Sequence, residues 1–246
     1  MGSSFGIISQ TGNNIQTEGL IFYVDPAYKK SYPGTGTTTF NLASGSLTPN
    51  GSLVNDTGFV GLPTSRFTFD GVNDYINITT LSNGVTGDNP FTIGGWAFNT
   101  DTTLRNSIFS YGTTSDNRAR SLEVGTPYSG TRYNISFATW GHIYSSNNDA
   151  FTENAWHYCV ITYAGGGTNS TNIKFYIDGL DAGYELDHGS ENQTLNTSNN
   201  DYRIGIRFDD NVDFNGNIGP VHLYNRALSA SDVLQNYQAQ KGRFGL

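Results

Sequence analysis

The sequence predicts an all-β protein: a two-sheet antiparallel jelly-roll sandwich with one short C-terminal helix. Three observations predict it. Ten short segments are rich in apolar residues, and most alternate apolar with polar at period two, which buries one face of a strand. Turn-forming residues separate them, and glycine alone supplies 30 of the 246 positions. No helical pattern alternates with the strands, so a parallel α/β arrangement is excluded.

Taken in order, residues up to about Glu18 are polar and aperiodic, and are expected to form an arm (1–18) ahead of a domain spanning 19–246. The expected strands run from Leu20 to Val24, Arg66 to Phe69, Tyr75 to Ile78, Phe91 to Phe98 and Ser107 to Tyr111. Five more follow, from Arg132 to Thr139, Trp156 to Tyr163, Ile173 to Ile177, Tyr202 to Phe208 and Ile218 to Tyr224. In the eighth of these, Ile173, Phe175 and Ile177 face one way, and Asp178-Gly179 then has the chemistry of a tight hairpin turn with positive φ. The helix is expected after Ser229, with Asp232 placed for a reciprocal cap. Val233, Leu234 and Tyr237 form its apolar face and Gly242 its stop. At about ten residues it must dock on the sandwich to be stable.

Composition narrows the function classes. Thirteen basic against 21 acidic residues give a net charge of −8, which opposes nucleic acid and anionic membrane as partners. Only 14% of residues are charged while 13% are aromatic, so solubility rests on uncharged polar groups around a sizeable core. A single cysteine, Cys159, excludes an internal disulfide framework. No apolar run approaches the roughly 20 residues of a membrane span. The start, MGSSFGIISQTGN, lacks the basic and apolar regions of a secretory signal, so release without one is expected.

Five segments in order carry a resemblance: FDGVNDYI from Phe69, FTIGGWAF from Phe91, NAWHYCVITYAG from Asn154, IKFYIDG from Ile173 and FNGNIGPVHLYNRALSASDV from Phe214. Together with GLIFYVDPAYKKSYPGTGTT they resemble the laminin-G-like branch of the concanavalin A-like lectin/glucanase superfamily, over about Gly19 to Tyr237. The SYPGTGTT entry and NYQAQKGRFGL ending resemble the version found in virion proteins of tailed bacteriophages. This implies a lectin-like protein on the virion surface, bound to other virion proteins through the N-terminal arm. It also implies binding to host-surface glycans. A sandwich needs protected edges, which symmetric assembly or an exchanged N-terminal arm would provide, so a homo-oligomer such as a trimer is expected. The alternative is an architectural capsid or tail decoration protein that binds no sugar.

Candidate sites follow from chemistry. Glycoside hydrolysis needs two carboxylates at set spacing. The nearest string, Glu185, Asp187 and Glu191, is out of step with the glucanase pattern and interrupted by Gly189, so no enzyme is expected. A lone thiol inside WHYCVITY reads as a packing residue, and Gly165-Gly166-Gly167 as a turn. Calcium needs clustered oxygens, and the candidates are Asp70, Asn73, Asp74, Asp210 and Asp213, with turns that bond their own backbone as the alternative. The family's acidic pair after FNG-x-I is Gly219-Pro220 here, which counts against a site built on it. Sugar binding calls for an exposed aromatic beside amides. In RYNISFATW, Tyr133, Ile135 and Phe137 share one face, leaving Trp140 on the other, next to His142, Tyr144, Asn147 and Asn148, with a twist that turns Trp140 inward or a contact with a neighbouring subunit as the alternatives. Trp96 and Trp156 lie in strand motifs and are expected to pack.

Overall fold

A computed structural model describes residues 14–43, 50–78, 80–126, 133–147 and 150–246. Its strands are β1 (Leu20–Val24), β2 (Thr38–Thr39), β3 (Gly51–Val54), β4 (Gly58–Val60), β5 (Arg66–Asp70) and β6 (Tyr75–Ile78). There follow β7 (Phe91–Asn99), β8 (Arg105–Gly112), β9 (Ala119–Gly125), β10 (Asn134–Ala138), β11 (Ile143–Ser145) and β12 (Trp156–Tyr163). The last are β13 (Ile173–Ile177), β14 (Leu180–Asp181), β15 (Glu185–His188), β16 (Tyr202–Ile204) and β17 (Asn215–Tyr224), before helix α1 (Ala230–Gln240).

These strands form two antiparallel sheets. One has eight strands in the order β14-β13-β12-β7-β17-β5-β4, with β1 also on β17. The other has nine, in the order β15-β11-β10-β9-β8-β16-β6-β3-β2. The expected sandwich is therefore observed. Between the sheets lies a core that includes Phe22, Phe91, Ile93, Phe109, Phe137, Cys159, Ile161 and Phe175, all fully buried. The outermost strands β14, β4, β15 and β2 are two to four residues long. Edges this short resist unwanted pairing on their own, so edge protection does not demand a partner subunit.

The central strands β1, β7, β12 and β17 of the eight-stranded sheet are buried on both faces. Its outer face carries Trp96, Tyr158, Val160 and Tyr224, covered by Val233 and Ala239 of α1 and by Ile15. Trp96 stacks on Phe244 at 4.1 Å, and Trp156 meets the same ring at 4.5 Å, so both tryptophans pack as expected. The capping box of α1 is present: Ser229 Oγ accepts from the Asp232 N–H and the Asp232 carboxylate accepts from the Ser229 N–H. The helix does not end at Gly242. It passes into a 3-10 turn, Lys241–Phe244, with Gly245 left-handed at φ 79°. Leu234 is 40% exposed, because the buried stripe is Val233, Asn236, Ala239 and Gln240.

The expected arm needs a correction at its inner end. Gln16 donates its backbone N–H to Asn236 Oδ1, its carbonyl accepts the Tyr224 hydroxyl, and Ile15 is 4% exposed. The described segment 14–18 is thus docked on α1, and residues 1–13 lie outside the described residues.

Within the outer aromatic layer His222 is fully buried, with Nε2 2.7 Å from the Tyr158 hydroxyl and Nδ1 unpartnered. Burial pushes its pKa down to about 3. An unfolded histidine titrates near 6.5, so between those values only the unfolded chain takes up the proton. Stability is then full above about pH 6.5 and falls as pH drops, by up to ~1.4 kcal/mol per unit. Urea midpoints are expected to decline from pH 6.5 to 4.5, with a flatter slope in His222→Gln; equal slopes would place the acid sensitivity elsewhere.

Candidate functional site

The outer face of the nine-stranded sheet carries a layer of buried polar side chains. In β9, ARSLEVG, the core-facing residues Arg120, Leu122 and Val124 alternate with Ser121 and Glu123 on the outer face. In β10, Ile135 and Phe137 enter the core while Asn134, Ser136 and Ala138 face out, as the alternation predicts. These outward residues are nevertheless buried: Ser107, Ser121, Asn134, Ser136 and Ser145 are all at most 3% exposed. Their hydroxyls satisfy one another through Ser107–Ser121 at 3.0 Å and Ser136–Ser145 at 2.8 Å.

The segment after β16 reaches this face at Ser110 and Glu123. The expected strand from Tyr202 to Phe208 stops at Ile204, where Gly205 turns left-handed at φ 89°. A Cβ there would meet Phe69 at 2.3 Å, so only glycine fits. The chain then accepts the Ser110 hydroxyl at the Ile206 carbonyl, sets Arg207 near Glu123, and sends the Phe208 ring back to Trp140 at 6.2 Å, edge-on. Glu123, 1% exposed, is paired with Arg105 and has Arg207 at 4.0 Å. Arg207 also bonds both Asp209 oxygens at 2.7 Å. Burial opposes ionisation of Asp209, but the Arg207 guanidinium holds its carboxyl below the ordinary carboxylate range. The Glu123 cluster is not apparent in the sequence, because β9 reads as polar and Arg207 and Phe208 read as strand.

The predicted ligand set splits. Trp140 is 36% exposed and stands on the outer side, with its carbonyl accepting the Asn117 N–H. Tyr144 is a correction: it is fully buried in the core, its hydroxyl 2.6 Å from Thr168 Oγ1 and donating to the Ser190 carbonyl, and burial raises its pKa to about 12. The reason is register. Tyr144 pairs with Phe137 and Ser145 with Ser136, so parity turns the tyrosine inward. His142 stacks on Tyr144 and accepts the Ser190 N–H at Nδ1, and burial lowers its pKa from the ordinary value. Asn147 is exposed at the opposite end of the β10–β11 hairpin, roughly 20 Å along the strand from Trp140. Asn148 lies outside the described residues.

The predicted metal set does not converge either. Asp70 accepts the Val72 N–H, the turn chemistry named as the alternative, and Asp210 is ion-paired with Arg203. Asn73 is exposed and offers its carbonyl to Asn55. Among the described residues no group of three or more His, Cys, Asp or Glu side chains could hold a metal ion. Two buried oxygens stay without a donor, Asp74 Oδ1 and Asp213 Oδ1. Burial, followed by neighbouring carboxylates, raises the pKa of both side chains. Asp213 lines a cleft of about 360 Å³ between the Gly71 turn, Thr103–Arg105 and Asn211–Asp213. The string at Glu185 begins in the edge strand β15, and no described helix is long and apolar enough to cross a membrane.

A family model described as the concanavalin A-like lectin/glucanase superfamily matches residues 70–234. No curated protein matches the chain by sequence. Among solved structures it is similar to domain 4 of an extracellular arabinanase from Geobacillus stearothermophilus, in complex with arabinotriose. That match has 14% identity and a TM-score of 0.53, over 92% of this chain and 100% of that one. It is also similar to Trypanosoma rangeli sialidase, at 15% identity and a TM-score of 0.62, over 94% of this chain and 34% of that one. The binding domain of botulinum neurotoxin serotype D matches at 17% identity and a TM-score of 0.56, over 90% of this chain and 52% of that one. The chain therefore spans about a third of the sialidase and half of the toxin domain.

Proposed function

Because the chain belongs to the concanavalin A-like lectin/glucanase superfamily, we propose that it is a non-enzymatic lectin-like protein of a bacteriophage virion that binds host-surface glycans around Trp140. The observation that carries this is the partly exposed indole held edge-on by Phe208 at the margin of the outer sheet face. A rigid aromatic with accessible surface suits the apolar face of a sugar, and weak contacts of this kind gain avidity from copy number. The non-enzymatic reading is supported by two carboxylates of this region, Glu123 and Asp209, each of which is ion-paired with an arginine. A glycan array is expected to give specific signal that falls at least tenfold in Trp140→Ala. Uniform silence of the wild-type protein favours the architectural reading.

The virion location is supported by the resemblance of the SYPGTGTT and NYQAQKGRFGL segments to tailed-phage virion proteins. We place the anchor ahead of the docked segment. Deleting residues 1–13 is expected to abolish incorporation into particles with an unchanged melting temperature. Deleting 1–17 is expected to lower the melting temperature as well, since Ile15 and Gln16 are then lost from α1. Normal incorporation of the shorter deletion would remove the anchor.

A further inference from the structure

We propose that Asp116 is the hydrogen-bonding partner of Trp140 in the glycan site, and that the pair selects uncharged sugars over acidic ones. The choice of a sugar rests on the lectin reading above; the choice of an uncharged one rests on the two turns that meet at Trp140.

Trp140 and Gly141 are the two residues between Thr139 and His142, whose backbones close the β10–β11 turn with the Thr139 N–H donating to the His142 carbonyl at 2.9 Å. So tight a turn keeps the indole at the rim of the sandwich, 36% exposed, whereas Trp96 is fully buried. The turn between β8 and β9 meets it there. Asn117, left-handed at φ 59°, donates its N–H to the Trp140 carbonyl at 3.1 Å. Its neighbour Asp116 sets Oδ1 3.5 Å from where a Gly141 Cβ would stand. By chain geometry that oxygen is at most about 9 Å from the Trp140 Cα. One sugar unit with its hydroxyls can bridge that span.

The Asp116 carboxylate is not needed to hold its own turn. Backbone bonds close it: the Arg118 N–H donates to the Ser115 carbonyl and the Thr113 N–H to the Arg118 carbonyl. Aspartates in turns commonly bond nearby backbone. Here Asp70 accepts from the Val72 N–H, Asp101 from Thr103 and Asp181 from Gly183. Asp116 departs from that pattern. It is exposed, and its carboxylate has no hydrogen bond or ion pair among the described residues. Arg118, two positions on, donates its Nε–H to Ser198 Oγ instead.

An ionised carboxylate accepts hydroxyl hydrogens on both oxygens, and bonds to a charged acceptor are the stronger ones. It also repels a sialic acid, uronic acid or sulfate held a few ångströms away, by a several-fold factor even in water. His142 does not offset this. It accepts the Ser190 N–H at Nδ1, so its neutral ring carries the proton on Nε2 and offers a donor. Burial lowers its pKa despite the nearby Asp116 charge, so at neutral pH it brings no cation to attract an acid.

An array of bacterial surface oligosaccharides tests this at pH 7.5, with each neutral backbone printed beside its acid-capped form. Lactose with 3′-sialyllactose and N-acetyllactosamine with its 6-sulfate are among the pairs. The neutral member is expected to bind at least fivefold more tightly at low ionic strength, with a smaller ratio in about 0.5 M salt. Asp116→Asn and Asp116→Ala, each with an unchanged melting temperature, are expected to weaken the neutral glycan at least fivefold. Both are expected to bring the neutral-to-acidic ratio close to one, a change that a merely structural aspartate would not produce. Equal binding of the pairs by the wild-type protein, preference for the acidic member, or no effect of Asp116→Asn overturns the proposal. Signal that falls with Trp140→Ala but survives Asp116→Ala removes Asp116 and leaves the lectin reading intact. An array silent for the wild-type protein removes the lectin reading itself, and the proposal with it.

Discussion

Arg243→Ala is expected to lower unfolding stability by about 3 kcal/mol, the scale of breaking a largely buried ion pair by removing one partner. Arg243 reaches back from the C-terminal 3-10 turn to bind both oxygens of Asp25 at 2.7 Å, and Asp25 is 4% exposed. The same carboxylate accepts the Tyr23 hydroxyl, which accepts from Gln240, whose Oε1 in turn accepts the Trp96 indole N–H. One chain of polar contacts therefore ties the C-terminus, β1 and β7 together. Without the guanidinium, Asp25 keeps only neutral donors in a buried place, and Phe244 loses the tether that lays it on Trp96. Urea unfolding followed by tryptophan fluorescence measures both effects. The double variant Asp25→Asn/Arg243→Met is expected to recover part of the loss, because no uncompensated charge remains. A single-variant cost under 1 kcal/mol would mean that the pair is solvated and the turn is held by Phe244 alone.

Arg120→Ala is expected to cost roughly 3–5 kcal/mol, as a large side chain and several buried hydrogen bonds disappear together. Arg120 is fully buried, and no ion pair among the described residues includes it. Its charge is held instead by the carbonyls of Gly87 and Asn89, by Thr197 Oγ1, and by the faces of Phe91 at 4.1 Å and Tyr111 at 5.8 Å. It fastens the loop before β7 to the bridge between Gly87 and Thr197. Arg120→Met fills much of the volume but leaves the same acceptors unpaired, so a smaller loss of about 2 kcal/mol is expected. If methionine matches or exceeds wild-type stability in urea, the guanidinium is not an anchor.

Both arginines show where sequence patterns stop being informative. Alternation identifies β5, β6, β12 and β13 because one face of each is apolar over four or more residues. It misses β9, where an arginine sits on the core side and a glutamate is buried on the other. It also misses β2, β3, β4, β11, β14 and β15, since none of these short strands has apolar residues at alternate positions. In the candidate site, Trp140 was legible as the outward residue of RYNISFATW, whereas the parity that buries Tyr144 depends on how two strands register across their turn.

The sequence by itself determined the two-layered β class, the Asp178-Gly179 turn, the Ser229 cap and the inward faces of the long strands. Each of these is fixed by neighbours a few positions away, through period, φ preference or local hydrogen bonding. Only the tertiary structure decided that Phe208 folds back to Trp140, that Arg207 is shared between Glu123 and Asp209, and that Asp74 and Asp213 each keep a buried oxygen without a donor. Those contacts join residues from separate strands and loops. Their energies depend on burial and on which charges share a low-dielectric space, and no local pattern encodes either quantity.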